Sequence, residues 1–146
     1  MEELELLKKI LDQELGAENR YVEHINKIKT PIIRKLLKDL KAEESKHKRQ
    51  ILKIIKNLDR KFDDKKYAES DKIEEERPGT EDFILVQALL ETDKEAEEEA
   101  MNSYKEAAEL TNYSELKTLF IEFKNDEEIH LKKIKNLIDQ LSLFNR

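Results

Sequence analysis

Apolar residues recur along most of this chain at steps of three and four, the period of a helix that buries one face. Four segments carry the pattern. The first runs from about Glu3 to Lys29, with the stripe Leu4, Leu7, Leu11, position 14, position 18, Tyr21/Val22, Ile25 and Ile28. Thr30-Pro31 reads as an N-cap followed by proline at the first helical position, opening a second helix that continues to about Leu58. Thr80, with Glu81 and Asp82 behind it, predicts the start of a third, because acidic groups favour the positive end of the helix dipole. That helix runs to about Leu110. After a turn at Asn112 to Ser114 the fourth carries Leu116, Leu119/Phe120, Phe123, position 127, position 130, Ile134, Leu137/Ile138 and Leu141.

Short turns near 30 and 112 pair helix 1 with helix 2, and helix 3 with helix 4, as antiparallel hairpins. The expected fold class is all-α, a four-helix bundle of two hairpins joined by a long crossover. The expected organisation is one domain over 1–146, with hairpin 1 at about 3–58, the crossover at about 59–79 and hairpin 2 at about 80–142. Each hairpin alone offers little core, which argues against two independent domains on a tether. The crossover, "DRKFDDKKYAESDKIEEERPGTED", is mostly charged and reads as a solvated span. A short helical piece is expected near Lys72 to Arg77, stopped by Pro78-Gly79.

The stripes contain steps that are not apolar. In helix 2, positions 44 and 47 are Glu44 and His47; in helix 4, positions 127 and 130 are Glu127 and His130. A shift of 83 residues carries His47 to His130 and superimposes the halves without gaps. Glu14 becomes Glu97, Ala17 becomes Ala100, Asn19 becomes Asn102, Tyr21 becomes Tyr104 and Glu44 becomes Glu127. Each half therefore carries Glu, a Tyr seven residues later, and Glu-x-x-His. Only three His exist in the chain, so two of them finding the same partners at the same offsets is a specific signal. Antiparallel pairing brings Glu14 level with Glu44 and His47, and Glu97 level with Glu127 and His130. All six are expected to meet at mid-bundle.

Carboxylates facing an apolar interior need compensation. Moving one such ion into a dry medium costs on the order of 20 kcal/mol in the idealised limit, and several after relaxation. Two divalent metals cancel four carboxylates, and each His adds one neutral nitrogen. Four Glu and two His make a di-iron or di-manganese carboxylate cage of the kind built in bundle cores. Oxygen-rich ligands with one imidazole per metal suit Fe, Mn or a mixed pair better than a closed zinc site.

Composition narrows the field further. Charged residues are 42% of the chain, but both signs are interleaved and the net charge is −6. With no basic, aromatic-studded patch, nucleic acid is not an expected partner. No apolar run spans a bilayer and no leader is recognised, so a cytoplasmic protein without a membrane partner is expected. The absence of Cys removes disulfides, thiolate metal sites and Cys nucleophiles. His24 has no counterpart in the second half and reads as a surface or edge residue. Glu18 lies on the stripe but repeats as Met101, and reads as a residue at the edge of the site. Asp93 reads as a partner for a lysine, and Glu43 and Asp126 as solvated.

At these motifs the chain resembles the rubrerythrin branch of the ferritin-like superfamily. "ELGAENRYVEH" is similar to that family's Glu-six-Tyr helix, and "EESKHKR" and "DEEIHLKK" to its two Glu-x-x-His helices. The resemblance implies Glu14, Glu44, His47, Glu97, Glu127 and His130 as ligands of two Fe ions, with Glu44 and Glu127 bridging. It implies reduction of hydrogen peroxide or dioxygen, or oxidation of iron, in a homodimer or larger assembly. Two departures stand out. The chain has no Cys and so no rubredoxin-like segment; an external electron donor such as rubredoxin is expected instead. The additional Glu that rubrerythrins tend to carry on helix 3 falls, by the repeat, on Ala100, while Glu95, Glu98 and Glu99 leave the register around Glu97 open.

Tyr21 and Tyr104 are candidates to donate hydrogen bonds to ligand carboxylates; ring packing in the core is the simpler alternative. Three functions remain: a di-iron peroxidase or oxidase, a ferroxidase that stores iron, and a non-catalytic helical interaction bundle.

Overall fold

The computed structural model describes residues 2–68, 72–75 and 78–144, with the side chain of 144 excepted. Within them lie four α-helices and no strand: α1 (Glu2–Lys27), α2 (Pro31–Leu58), α3 (Phe83–Leu110) and α4 (Ser114–Phe144). Contacts among the helices run chiefly within α1–α2 and within α3–α4, and the chain divides into two compact units at Glu81/Asp82. No described helix is long and apolar enough to cross a membrane.

In the first unit the stripe of α1 lies against that of α2. Leu7, Leu11, Ile25, Leu37, Leu40, Ile51 and Ile55 are each at most 1% exposed. Each such side chain contributes about 1.5–3 kcal/mol on burial. The turn between them is held by two charged groups. Arg34, itself buried, donates through Nη1 to the carbonyls of Ile25 (2.5 Å) and Ile28 (3.0 Å), placing a cation at the negative end of the α1 dipole. Glu81 Oε2 accepts from Lys29 N (2.7 Å), Thr30 N (2.5 Å) and Thr30 Oγ1 (2.8 Å). Helix α2 does begin at Pro31, but Thr30 makes no side-chain cap to it, because its hydroxyl is given to Glu81.

That same contact explains a shifted boundary. Sequence places the start of the third helix at Thr80, whereas α3 begins at Phe83. Asp82 is the N-cap, its Oδ1 accepting from Ile84 N and Leu85 N at 3.1 Å each. Glu81 is drawn to the α1–α2 turn instead of the dipole.

The crossover is not simply solvated. Tyr67, in a short 3-10 turn at Lys65–Tyr67, is 5% exposed and donates its hydroxyl to Asp12 of α1. Its ring stacks on Phe62, and Lys56 of α2 bonds Asp64 at 2.6 Å. Further along, Asn26 donates to the Lys72 carbonyl and accepts from Glu74 N, while Arg34 Nη2 donates to the Glu74 carbonyl. The segment at 72–75 is irregular, not the short helix expected from sequence, and positions 76 and 77 of that expectation lie outside the described residues. Backbone groups at 72 and 74 are bonded to Asn26 and Arg34 of the hairpin, which replaces helical hydrogen bonding there.

In the second unit Val86, Leu90, Tyr104, Phe120 and Ile134 are fully buried. Tyr104 meets Phe123 edge-on, with ring centroids 5.4 Å apart.

Candidate metal centre

Each hairpin gathers its predicted triad. In the first, Glu14 comes from the middle of α1, while Glu44 and His47 lie three residues apart on one face of α2. All three are 1% exposed. His47 Nδ1 lies 3.8 Å from Glu14 Oε2 and 3.9 Å from Glu44 Oε2. In the second hairpin Glu97 of α3 faces Glu127 and His130 of α4, with exposures of 1%, 0% and 4%. His130 Nδ1 lies 3.8 Å from an oxygen of each carboxylate. The two triads agree to a tenth of an ångström in these separations.

The chemistry of the donor sets fits a cation. Separations of 3.8–3.9 Å exceed hydrogen-bonding reach, so a shared proton does not hold the imidazole to either carboxylate. Two donors each about 2.1 Å from one ion lie at most about 4.2 Å apart, a limit these pairs respect. Within each triad every residue offers a ligand atom within 4.8 Å of the others. Glu14 Oε2, buried, accepts no hydrogen bond from any described residue. Two carboxylates and one imidazole per hairpin give a donor set whose charge a single divalent ion cancels.

The glutamates of α3 differ in burial. Glu97 is inside, whereas Glu95 and Glu99 are exposed and Glu98 is half-buried. Glu43 and Asp126 are also half-buried. Tyr21 and Tyr104 are wholly buried; the Arg20 guanidinium lies over the Tyr21 ring at 4.7 Å. Burial, with the negative charge of Asp126 adding to it, pushes the Tyr104 phenol well above its ordinary value and keeps it protonated.

Sequence reasoning placed His24 and Glu18 too shallowly and assigned no depth to Asp93. His24 is 5% exposed, not a surface residue. It sits three past Tyr21, a helical step that carries it to the inner flank. Asp93 is fully buried. Glu18 is 0% exposed and forms an ion pair at 2.8 Å with Lys48, a lysine 2% exposed, while Ser45 donates to its other oxygen. The available signal was spacing: Glu18 follows Glu14, and Lys48 follows Glu44, by one helical turn each.

Comparison with known proteins bears on these triads. The family model for rubrerythrin matches residues 5–138, nearly the whole of both hairpins. The chain belongs to the rubrerythrin family. No curated protein matches it. Among solved structures it is similar to a hypothetical protein from Pyrococcus furiosus, with a TM-score of 0.79 at 20% identity. That match covers 97% of this chain and 91% of the other, and it shows the fold: an all-α, ferritin-like four-helix bundle. Family membership and the buried Glu/His triads together mark a site in this rubrerythrin able to bind metal.

Proposed function

We propose that this protein is a di-iron carboxylate oxidoreductase that reduces hydrogen peroxide, or dioxygen, with electrons from a separate donor protein. The observation that carries the reading is the duplicated donor set: two buried Glu–Glu–His triads with matching 3.8–3.9 Å separations, in a chain of the rubrerythrin family. Glu14, Glu44 and His47 would hold one ion, and Glu97, Glu127 and His130 the other; Mn could replace Fe at either. When bound, two Fe(II) ions would supply the two electrons that, with two protons, take peroxide to two waters or dioxygen to peroxide.

The chain's own residues fix the conditions for that chemistry. The carboxylates are held on rigid helices by closely packed neighbours, so little reorganisation is needed around the ions. The imidazoles enter as neutral donors, leaving the charge of each triad matched to a divalent cation. Tyr104 remains a neutral phenol and adds no charge of its own. In this reading a separate donor protein re-reduces the ions.

Protein loaded with Fe(II) without oxygen should bind two ions per chain. Titration with peroxide, followed by visible absorption, should oxidise both with one equivalent and without mineral formation. His47→Ala and His130→Ala should each lose one ion. Wild-type metal content in both variants would remove the ligand assignment. Continued uptake of excess Fe(II) into a mineral core would transfer the site to iron storage, and no bound metal would leave only a helical interaction bundle.

A further inference from the structure

Glu18 is buried as deeply as any candidate ligand, yet its charge is already matched. It lies one turn beyond Glu14 on α1, accepting the Ser45 hydroxyl at 2.5 Å and the Lys48 ammonium at 2.8 Å. Ser45 directly follows Glu44, and Lys48 directly follows His47. One carboxylate thus ties α1 to the two positions of α2 that adjoin its triad members. A buried ion pair is a stiff tie, because separating it leaves two uncompensated charges in an apolar setting.

The second hairpin lacks the device. The shift of 83 residues carries Glu18 to Met101, Ser45 to Glu128 and Lys48 to Leu131. Met101 and Leu131 have no charge to pair, and the Glu128 side chain is 62% exposed beside Lys124 of its own helix. An open groove of about 690 Å³ lies there, floored by Met101 and Leu131 and rimmed by Lys105, Lys124 and Lys132.

We propose that Glu18, Ser45 and Lys48 form a positioning brace for the Glu14–Glu44–His47 triad, so that the two hairpins load metal unequally, hairpin 1 first and more tightly. The inference rests on the metal-binding reading of the triads. Groups that hold ligands in place typically change metal affinity by about 10–100-fold when removed. The brace is neutral overall, so it orders hairpin 1 without altering the charge presented to the ion. Binding there is spared an ordering cost that hairpin 2 still meets.

The test is anaerobic calorimetric titration of the full chain with Fe(II). Wild type should show two steps separated by about tenfold or more in affinity. His130→Ala should keep the tight step and His47→Ala should lose it. The paired substitution Glu18→Met with Lys48→Leu gives hairpin 1 the residues of hairpin 2 at the two charged positions, and it should weaken the tight step about tenfold and leave the weak one in place. Exchange of a buried ion pair for apolar groups is commonly tolerated, and helicity and melting of the metal-free variant verify it. Ser45→Ala removes a single hydroxyl and should move the same step in the same direction by a smaller factor. Two equal steps in wild type, or two unequal steps that neither variant alters, would overturn the brace while leaving the metal site standing. Absence of any bound Fe(II) would overturn both.

Discussion

At the scale of single residues, the Glu18–Lys48 pair is the sharpest probe of the interior. Lys48→Met alone leaves Glu18 as a lone buried charge and should cost about 3–5 kcal/mol. Glu18→Met alone should do the same to Lys48. The double change should recover most of the loss, and urea melts of the four proteins measure the coupling directly; additive losses would show that the pair is not coupled. Tyr104 supplies a pH-dependent counterpart. Its folded value lies above the ordinary one of about 10, so the unfolded chain releases the proton first. The buried phenol therefore contributes full stability below pH 10, which declines as pH rises toward the folded value. Melting temperatures between pH 9 and 12 should fall more steeply in wild type than in Tyr104→Phe; parallel curves would contradict the assignment. Lys48 and Tyr104 both sit in the interior, but only the tyrosine was legible there. A lysine in an amphipathic helix reads as solvent-facing, and its burial depends on a glutamate thirty positions away.

At the scale of elements, periodicity located all four helices, and their ends differ from expectation where a side chain found a distant partner. Thr80 resembled a helix start because acids follow it, but Glu81 is taken by Lys29 and Thr30 and the start moves to Asp82. Glu81→Ala should remove three hydrogen bonds to a charged acceptor and cost about 1.5–3 kcal/mol. Hydrogen exchange should quicken at 26–30 and at 72–75, while α4 stays as protected as before; equal changes throughout would deny the local role. Gly16 offers the opposite case. It is exposed in mid-α1, and a Cβ there would meet nothing within 4 Å. Gly16→Ala should stabilise the protein by about 0.5–1 kcal/mol in thermal unfolding, since only the backbone freedom of glycine is given up. The docking of the crossover on hairpin 1 was not readable. Charged segments look solvated until the few residues that anchor them, here Phe62, Tyr67 and the backbone at 72–75, are seen with their partners.

For the molecule as a whole, the internal repeat was the most informative feature of the chain. It singled out six residues, and every one is buried beside its expected hairpin partners. The repeat also exposed the divergence of Glu18 to Met101, but not the buried partner, Lys48, that gives this divergence its meaning. Metal should matter to stability in proportion to its affinity. Saturating Fe(II) at a hundredfold excess over Kd should add about 2.7 kcal/mol per site, or roughly 5–10 °C in Tm, and a chelator should reverse it. An unchanged Tm on chelation would count against resident metal. The Glu18–Lys48 pair also has a historical side. Any lineage that passes between the ionic version of this position and the Met/Leu version must change two codons, and either intermediate carries a lone charge in its interior. Selection against those intermediates acts as a ratchet, so once a pair of such halves has parted company at this point, drift one substitution at a time will not make them alike again.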